Sequence, residues 1–311
     1  MGERALTRLL AGMGYPPEAP LPPGDDAGAI ARMEGTWLLK TDGFTAGSVR
    51  LAGMPEEALG WRAVTAVASD LLAKLAEPLG FVLAIFLPHK AEAGVALAWT
   101  RGAARAARSY GAFLLGGDLN AGEAALVAAG FARAEDPLPR GGGEGDEVLI
   151  VGDRFGLAGA AIHAHYRGVD LAGYPRIRQA GYWPRARLAL LGLGALRRYL
   201  SGAADSSDGL AETLWQLSEA SGVGMRLTHL PVPEEVQCYA RSVGADPEEL
   251  VLYGGEEYEA VILVRPEGRA FVSAWLEEHA VPHSWIGRAE GQMGVWLRGV
   301  MVPRRGYEHF R

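Results

Sequence analysis

The sequence contains very little cysteine and very little lysine, and each shortage excludes a class of protein. The single cysteine, Cys238, cannot form a disulfide within the chain, and no neighbouring Cys or His completes a zinc-binding set. A reducing, cytoplasmic setting is therefore expected. The three lysines are Lys40, Lys74 and Lys90, and none follows a glycine-rich loop, which excludes a Walker-type phosphate loop. Any nucleotide chemistry must use metal ions, arginines and backbone amides.

Long apolar runs and concentrated positive charge are missing as well. The amino-terminal residues carry charges at Glu3, Arg4 and Arg8 and lack the apolar core of a signal peptide. The most apolar region, residues 61–88, is interrupted by charged residues and is too polar to span a membrane. A net charge of -7 argues against a nucleic-acid groove, which needs a basic face. We therefore expect a soluble protein that binds neither membrane nor nucleic acid.

Helix and strand patterns alternate along the 311 residues, which is long enough for two domains. The runs of residues 79–87, 113–120 and 123–134 predict strands, the first of them buried, and residues 54–76, 96–111 and 231–250 predict helices. Proline, glycine and charge concentrate in residues 136–146, which favours a domain boundary there. We predict an α/β (α+β) fold with two α/β domains, residues 1–137 and 138–311.

Acidic residues recur at predicted turns and strand ends. The stretch from Gly24 to Asp42 reads as a β-hairpin that turns at Glu34 and Gly35, which would bring Asp26 close to Asp42. Carboxylates so close repel each other unless a cation lies between them. A divalent metal site is one interpretation of this stretch. A polar turn and a strand-end aspartate are the other.

Two further aspartates lie in different surroundings. Asp70 lies inside an apolar helix, where it either pairs with Lys74 one turn later or points into a site. Asp118 follows Gly116 and Gly117, whose amides could approach a phosphate while Asp118 holds a metal ion. The alternative for this motif is an ordinary Gly-Gly-Asp turn.

The motifs ADSSDG and GGEEYE complete the acidic set. Asp205, Ser207 and Asp208 are predicted to begin a helix, where they either cap it or place two carboxylates on one helix face beside anion-attracting amides. The motif GGEEYE places three glutamates beside Gly254 and Gly255: Glu256, Glu257 and Glu259. These residues either lie in an ordinary loop or form another part of the site.

The sequence motifs GDDAGAI, KTD, SDLLAKLAEPLG, LLGGD, ADSSDGL, GGEEYE and GYEHF occur in this order and span nearly the whole chain. The ordered set resembles that of the thiamine-monophosphate kinase family. The resemblance implies transfer of the γ-phosphoryl group of ATP to thiamine monophosphate with Mg²⁺, giving thiamine diphosphate and ADP. It also implies a homodimer whose amino-terminal domains join their strands.

The resemblance also implies roles for individual residues. The implied metal ligands are Asp26, Thr41, Asp42, Asp70, Asp118, Asp205 and Asp208, of which Asp42, Asp118 and Asp208 form the catalytic set. The implied ATP contacts are Gly117, Asp118, Arg140 and Ser207, and the implied substrate contacts are Glu256 and Tyr307.

The chain departs from the family pattern at several positions. Val49 stands where the family has a histidine, GGDLN replaces GGDTT, and GGEEYE replaces GGEDYE. These departures leave open a phosphotransferase of the same fold with another small-molecule acceptor, or an inactive nucleotide-binding dimer.

Overall fold

A computed structural model describes residues 36–305 of the chain. The chain divides into two compact units. Of the described residues, one unit comprises 36–71 together with Ala76–Glu135, and the other comprises Leu72–Leu75 together with 136–305. The sequence-based boundary between residues 137 and 138 remains a prediction, as do the separate roles of the two domains.

The first unit is a four-stranded sheet accompanied by helices. Its elements are β1 (Thr36–Thr45), α1 (Ala46–Val49), α2 (Glu56–Ala73), β2 (Glu77–Leu87), α3 (Ala93–Ser109), β3 (Phe113–Ala121) and β4 (Ala125–Ala134). The strand order is β1-β4-β2-β3. The pairs β1–β4 and β4–β2 are antiparallel, and β2–β3 is parallel. The strands and helices predicted for residues 54–134 are thus confirmed in kind.

Side chains that alternate along the strands give this sheet two different faces. Phe81, Leu83 and Ile85 on β2 are buried, and Gly130 on β4 lies against Phe81 and against Val67 of α2. The opposite face is apolar but open to solvent among the described residues. Its most exposed large side chains are Trp37, Leu39, Val82 and Val127.

The second unit is built on a seven-stranded sheet. Its strands are β5 (Glu147–Val151), β6 (Leu200–Ser206), β7 (Gly224–Leu227), β8 (Glu259–Val264), β9 (His283–Ala289), β10 (Gly294–Leu297) and β11 (Val300–Met301). Its helices are α4 (Leu157–Arg167), α5 (Pro175–Tyr182), α6 (Leu210–Ser221), α7 (Glu234–Val243), α8 (Pro247–Tyr253) and α9 (Arg269–Glu278). Two 3₁₀ segments, Leu188–Tyr199 and Pro266–Gly268, complete it.

The sheet of the second unit has the order β11-β10-β7-β9-β5-β8-β6. Only β10 and β7 run parallel among its described strand pairs. Strands β5 and β8 lie in the middle, and all their residues are buried. Val148, Ile150, Val261 and Leu263 form a core with apolar residues of α6 and α8. This burial on both faces explains why the two strands read as continuous apolar runs.

Two local predictions for this unit were wrong. The predicted helix of residues 231–250 is two helices, α7 and α8, separated by Gly244, whose backbone φ of 67° ends α7. The helix after ADSSDG begins later than expected: Asp205 lies in β6, and Gly209 is the N-cap of α6, without a side-chain cap. Asp205 and Asp208 therefore do not share a helix face. Over residues 36–305, no helix is both long and apolar enough to cross a membrane.

Candidate functional site

Lys40 links two of the predicted metal-binding aspartates in the first unit. Its Nζ lies 2.8 Å from Oδ2 of Asp70 and 3.9 Å from Oδ2 of Asp42. Lys40 and Asp42 are two residues apart on β1, so both side chains point to the face of the sheet that Asp70 of α2 also reaches. The two aspartate side chains, Asp42 and Asp70, are 39% and 27% exposed. An ammonium group therefore lies between two solvent-accessible carboxylates.

Of the two interpretations of Asp70, the pairing with Lys74 is wrong, because the Asp70 carboxylate pairs with Lys40 of β1. Lys74 donates a 2.7 Å hydrogen bond to the carbonyl oxygen of Ala203. The sequence alone left both interpretations of Asp70 open. The pairing of β1 with β4 places Lys40 beside the helix that carries Asp70, and this long-range contact cannot be read from the local sequence. The structure brings together Asp42 and Asp70, as the metal-site interpretation requires.

Thr41 points away from these two acids. It is opposite Ala129 in the β1–β4 register, on the open face of the sheet, and its hydroxyl donates to the carbonyl oxygen of Ala128 at 3.1 Å. Since side chains alternate along a strand, the Thr41 hydroxyl and the Asp42 carboxylate lie on opposite faces. The predicted role of Thr41 in binding metal therefore has no support from its side chain.

Asp118 lies inside β3, so the Gly-Gly-Asp turn was a wrong alternative. The β2–β3 register shifts between Phe81 and Val82, which is a local bulge in the pairing. A Cβ at Gly117 would overlap the carbonyl oxygen of Leu83, so this position needs glycine. The Asp118 carboxylate accepts hydrogen bonds from its neighbour's amide, at 2.9 Å, and from the Asn120 side-chain amide, at 2.6 Å. These bonds fix its direction.

One copy of the first unit does not bring Asp118 to Asp42. The register runs from Asp42 to Ala128, then to Leu83 and on to Gly117, across the whole sheet. At about 5 Å per strand this is roughly 15 Å. Asp118, one residue beyond Gly117, is opposite Ala84 and projects from the open face. The two acids thus occupy opposite edges and opposite faces of one sheet.

The acidic turn of the second unit follows β6. Asp205 and Asp208 are partly buried, and Ser206 between them is fully buried. The backbone of the turn is clamped by the segment after α8: the amide of Glu256 donates to the carbonyl oxygen of Ser207 at 2.6 Å, and the amide of Tyr258 donates to that of Ser206 at 2.8 Å. The two motifs ADSSDG and GGEEYE are therefore adjacent in space.

The segment that clamps this turn is strained. Glu256 and Tyr258 have φ values of 61° and 52°, in the left-handed region that residues with a side chain rarely adopt. Each costs roughly 1–2 kcal/mol relative to ordinary backbone. The Tyr258 hydroxyl donates to Oε2 of Glu256 at 3.2 Å. Strain of this kind persists only where surrounding contacts hold the backbone, and it concentrates at functional sites.

Glu257 is buried and holds the start of α4. Its carboxylate accepts hydrogen bonds from the amides of Gly156, Ala158 and Gly159, at 2.9, 3.3 and 3.2 Å. These are amides at a helix amino terminus, where a carboxylate is favoured. Burial raises the pKa of Glu257 to about 8, even though the three amide bonds act in the opposite direction. Desolvation is the larger effect because the side chain has no access to water.

Glu259 is fully buried and binds two arginines. Arg154 donates from Nε at 2.5 Å, and Arg187 donates from Nε at 3.1 Å and from Nη2 at 3.3 Å. Its carboxylate occupies the space beside Gly152, where a Cβ would overlap Oε2. The same carboxylate raises the pKa of Arg187, against the desolvation that lowers it. A buried carboxylate needs such partners, since removing them leaves an uncompensated charge.

Arg140 lies beside β6 and is exposed. The carbonyl oxygen of Pro139 accepts from the amide of Ala203, and the backbone of Arg140 touches Gly202. This places its backbone three residues before Asp205 along β6, or about 10 Å away. The structure thus puts Arg140 in the same unit as the acidic turn without contact between them.

The described residues contain no group of three or more acids, histidines or cysteines close enough to hold a metal ion. Asp26 and Tyr307 lie outside the described residues. The Asp42 and Asp70 carboxylates nevertheless fit a hard divalent cation, because oxygen atoms are its preferred ligands and a positive group already lies between them. Three residues of the arrangement escaped the sequence-based prediction: Lys40, Arg154 and Arg187. The sequence contained one signal for the two arginines. Glu259 begins a strand that is otherwise apolar, and a glutamate buried there needs a cationic partner.

The chain is similar to known proteins along most of its length. The family descriptions "AIR synthase related protein, N-terminal domain" and "AIR synthase related protein, C-terminal domain" match residues 24–133 and 143–297. The thiamine-monophosphate kinase of Pyrobaculum calidifontis is 30% identical over 296 residues, which cover 91% of this chain and 89% of that protein. The chain belongs to the thiamine-monophosphate kinase family.

Solved structures of similar proteins share the fold. The crystal structure of tt0281 from Thermus thermophilus is 53% identical, with a TM-score of 0.83 and coverage of 97% of this chain and 98% of that one. The structure of AaThiL complexed with AMPPCP and TMP is 26% identical, with a TM-score of 0.77 and coverage of 88% and 87%. The predicted fold class of two α/β domains is confirmed by this family membership.

Proposed function

We propose that this protein is a thiamine-phosphate kinase, which transfers the γ-phosphoryl group of ATP to thiamine monophosphate and releases thiamine diphosphate and ADP. The observation that carries the proposal is the similarity to thiamine-monophosphate kinases over about nine-tenths of both chains. The similarity to AaThiL, which was solved with AMPPCP and TMP, supports the choice of both substrates.

The chemistry agrees with the residues of the site. The acceptor phosphate is already ionised near neutral pH, so the reaction needs no strong general base, and the main barrier is repulsion between two anions. Accessible carboxylates such as Asp42 and Asp70 would hold Mg²⁺, which neutralises phosphate charge when bound. The remaining proposed ligands are Asp26, Asp118, Asp205 and Asp208.

The other roles are distributed over both units. Gly117 and Ser207 offer backbone and hydroxyl groups to ATP phosphates, and Arg140 offers a guanidinium group. Glu256 and Tyr307 are proposed for the thiamine side. Asp42, Asp118 and Asp208 are the proposed catalytic set. Support comes from the clamped turn at residues 206–208 and the strained segment that clamps it, because such backbone is typical of active sites.

We also propose a cytoplasmic homodimer. On the open face of the four-stranded sheet, Leu39 is 80% exposed, Trp37 38% and Val127 39%, and large apolar side chains exposed together on one face are typical of an interaction surface. Pairing of two such sheets would cover it, and could bring Asp118 of one copy toward the acids of another. The Leu39→Glu variant should then be monomeric in analytical ultracentrifugation, whereas an unchanged dimer would contradict this interface.

Direct measurement of the products tests the activity. Purified protein with ATP, Mg²⁺ and thiamine monophosphate should form thiamine diphosphate and ADP in equal amounts. The background is set by the double variant Asp42→Asn with Asp118→Asn. Product at the level of that background would overturn the proposal. ADP released with a different small phosphate acceptor, and not with thiamine monophosphate, would keep the kinase chemistry and overturn the acceptor.

A further inference from the structure

The segment from Gly255 to Glu259, here called the clamp segment, contacts two turns at once. Its backbone amides at Glu256 and Tyr258 donate to the carbonyl oxygens of Ser207 and Ser206. Two of its side chains point instead to the turn between β5 and α4. Glu257 binds the amides that begin α4, and Glu259 binds the arginines described above.

We propose that Glu257 and Glu259 are positioning residues, which act through the clamp segment to hold the turn Ser206–Asp208 in the conformation that binds ATP and Mg²⁺. This inference rests on the proposed function. It goes beyond that function because neither glutamate contacts the proposed ligands of the site: Glu257 is bound to backbone amides and Glu259 to arginines.

The clamp segment has a strained backbone that needs contacts with its surroundings to persist. Glu256 and Tyr258 both have left-handed backbone, and each flanks Glu257. Two strained residues in a three-residue run would relax to ordinary backbone if nothing held them. The three amide bonds to Glu257 and the three guanidinium bonds to Glu259 are contacts from outside the segment that oppose this relaxation, in addition to the Tyr258–Glu256 hydrogen bond within it.

Ser206 lies directly opposite Glu259 in the β6–β8 register. Its hydroxyl is fully buried and has no hydrogen-bond partner among the described residues, so this side chain makes no hydrogen bond that holds the turn. The clamp segment makes two backbone hydrogen bonds to the turn, one of them to Ser206 itself.

The length of Glu257 supports the same conclusion. The Glu257 side chain reaches three amides at the start of α4. A shorter acid in the same backbone would have to shift either the helix or the clamp segment. The distance between the two turns is therefore set in part by the length of this side chain.

The test compares two buried glutamates that have similar chemistry and different positions. Glu259→Gln removes the charge from the clamp segment. Glu147→Gln is the matched control, because Glu147 is also buried, also pairs with two arginines, Arg269 and Arg288, and begins β5. Steady-state kinetics with ATP and Mg²⁺ as variables, calorimetry of ATP binding and thermal unfolding are measured for both variants and the parent.

We expect Glu259→Gln to raise the Mg²⁺ requirement and the KM for ATP by about 10- to 100-fold, the usual effect of removing a group that orients metal ligands. Glu147→Gln should lower the melting temperature by a similar amount and leave both constants within about twofold of the parent. Equal effects of the two variants on KM, or a loss of stability alone in Glu259→Gln, would overturn the inference.

Glu257→Asp provides the second measurement, and it decides the question if Glu259→Gln does not fold. It keeps the carboxyl group and shortens the side chain, so a positioning role predicts weaker ATP and Mg²⁺ binding in a folded protein. Unchanged binding in this variant would contradict the proposal. A parent that binds ATP with Mg²⁺ but forms no thiamine diphosphate would overturn the proposed function and leave this inference standing.

Discussion

The two units place their acidic residues in opposite environments. In the first unit Asp42 and Asp70 are reachable by water and share one lysine, whereas in the second unit Glu257 and Glu259 have no access to water and are bound by backbone amides and arginines. Accessible carboxylates can exchange one cation for another at little cost. Buried carboxylates cannot, because a lost partner leaves an uncompensated charge. The first pair suits metal binding, and the second pair suits fixing the backbone.

This contrast also explains the pKa values of acids in the two units. Hydrogen bonds from Arg50 lower the pKa of Glu56 in the first unit, against a smaller effect of burial. Burial raises the pKa of Glu257 in the second unit. The same side-chain type therefore responds to pH with opposite sign in the two units.

The largest expected effect is on activity. Asp42→Asn should lower kcat/KM by about 100-fold or more, since a metal-holding carboxylate supplies several kcal/mol and each 1.4 kcal/mol is about tenfold in rate. Folding should change little, because Asp42 lies 3.9 Å from Lys40 and is substantially exposed. The exposed Asp170→Asn serves as the control and should keep full activity. If Asp42→Asn is as active as this control, the accessible acids of the first unit do not hold the metal ion, and the contrast between the two units is wrong.

The second effect is the pH dependence of the buried acid. Because the folded-state pKa of Glu257 lies at about 8, above its ordinary value of 4.5, its contribution to stability is fully present below about pH 4.5 and is lost as pH rises through 8. As pH rises from about 5 to 8.5, the parent should therefore lose this contribution while Glu257→Gln does not. The unfolding free energy of the variant, measured by urea unfolding, should increase relative to that of the parent over this range. A difference that is constant with pH would show that Glu257 stays ionised.

A smaller effect of opposite sign is expected for Glu56. Its folded-state pKa is lowered, so its contribution is present above pH 4.5 and is lost as pH falls through the folded-state value. Glu56→Gln should be less stable than the parent at neutral pH by up to about 1 kcal/mol, after allowance for exposure of the pair. The two proteins should converge once the pH falls below the folded-state pKa of Glu56. Divergence on acidification would contradict the contrast between the units.

The smallest effect concerns Lys40. Lys40→Met leaves Asp42 and Asp70 without the ammonium between them, so the metal-free protein should lose roughly 0.5–1 kcal/mol, or a few degrees of melting temperature. Added Mg²⁺ should restore more stability in the variant than in the parent. Melting curves in EDTA and in Mg²⁺ give both values. Equal Mg²⁺ responses in the two proteins would argue that the ion binds elsewhere.

The sequence was sufficient for the strands and helices of residues 54–134 and for the fold class. It did not decide whether GGDLN forms a turn or part of a strand. Two glycines before an aspartate are typical of a turn, but they also occur in a strand where a neighbouring backbone comes very close. It misassigned the start of α6, where Gly209 takes the N-cap position although Ser207 and Asp208, good capping residues, stand just before it. In both places long-range contacts, from Leu83 and from the clamp segment, override local preference.

By itself the sequence determined the alternation of apolar runs, the absence of a lysine-based phosphate loop, and the ordered acidic motifs that point to this family. These are properties of composition and spacing, which local chemistry fixes. Only the tertiary structure decided that Lys40 reaches Asp70, that Asp118 faces away from Asp42, and that Glu257 and Glu259 are buried anchors of a strained segment. Those facts depend on strand register, and a shift of one residue in register would reverse the face of every side chain.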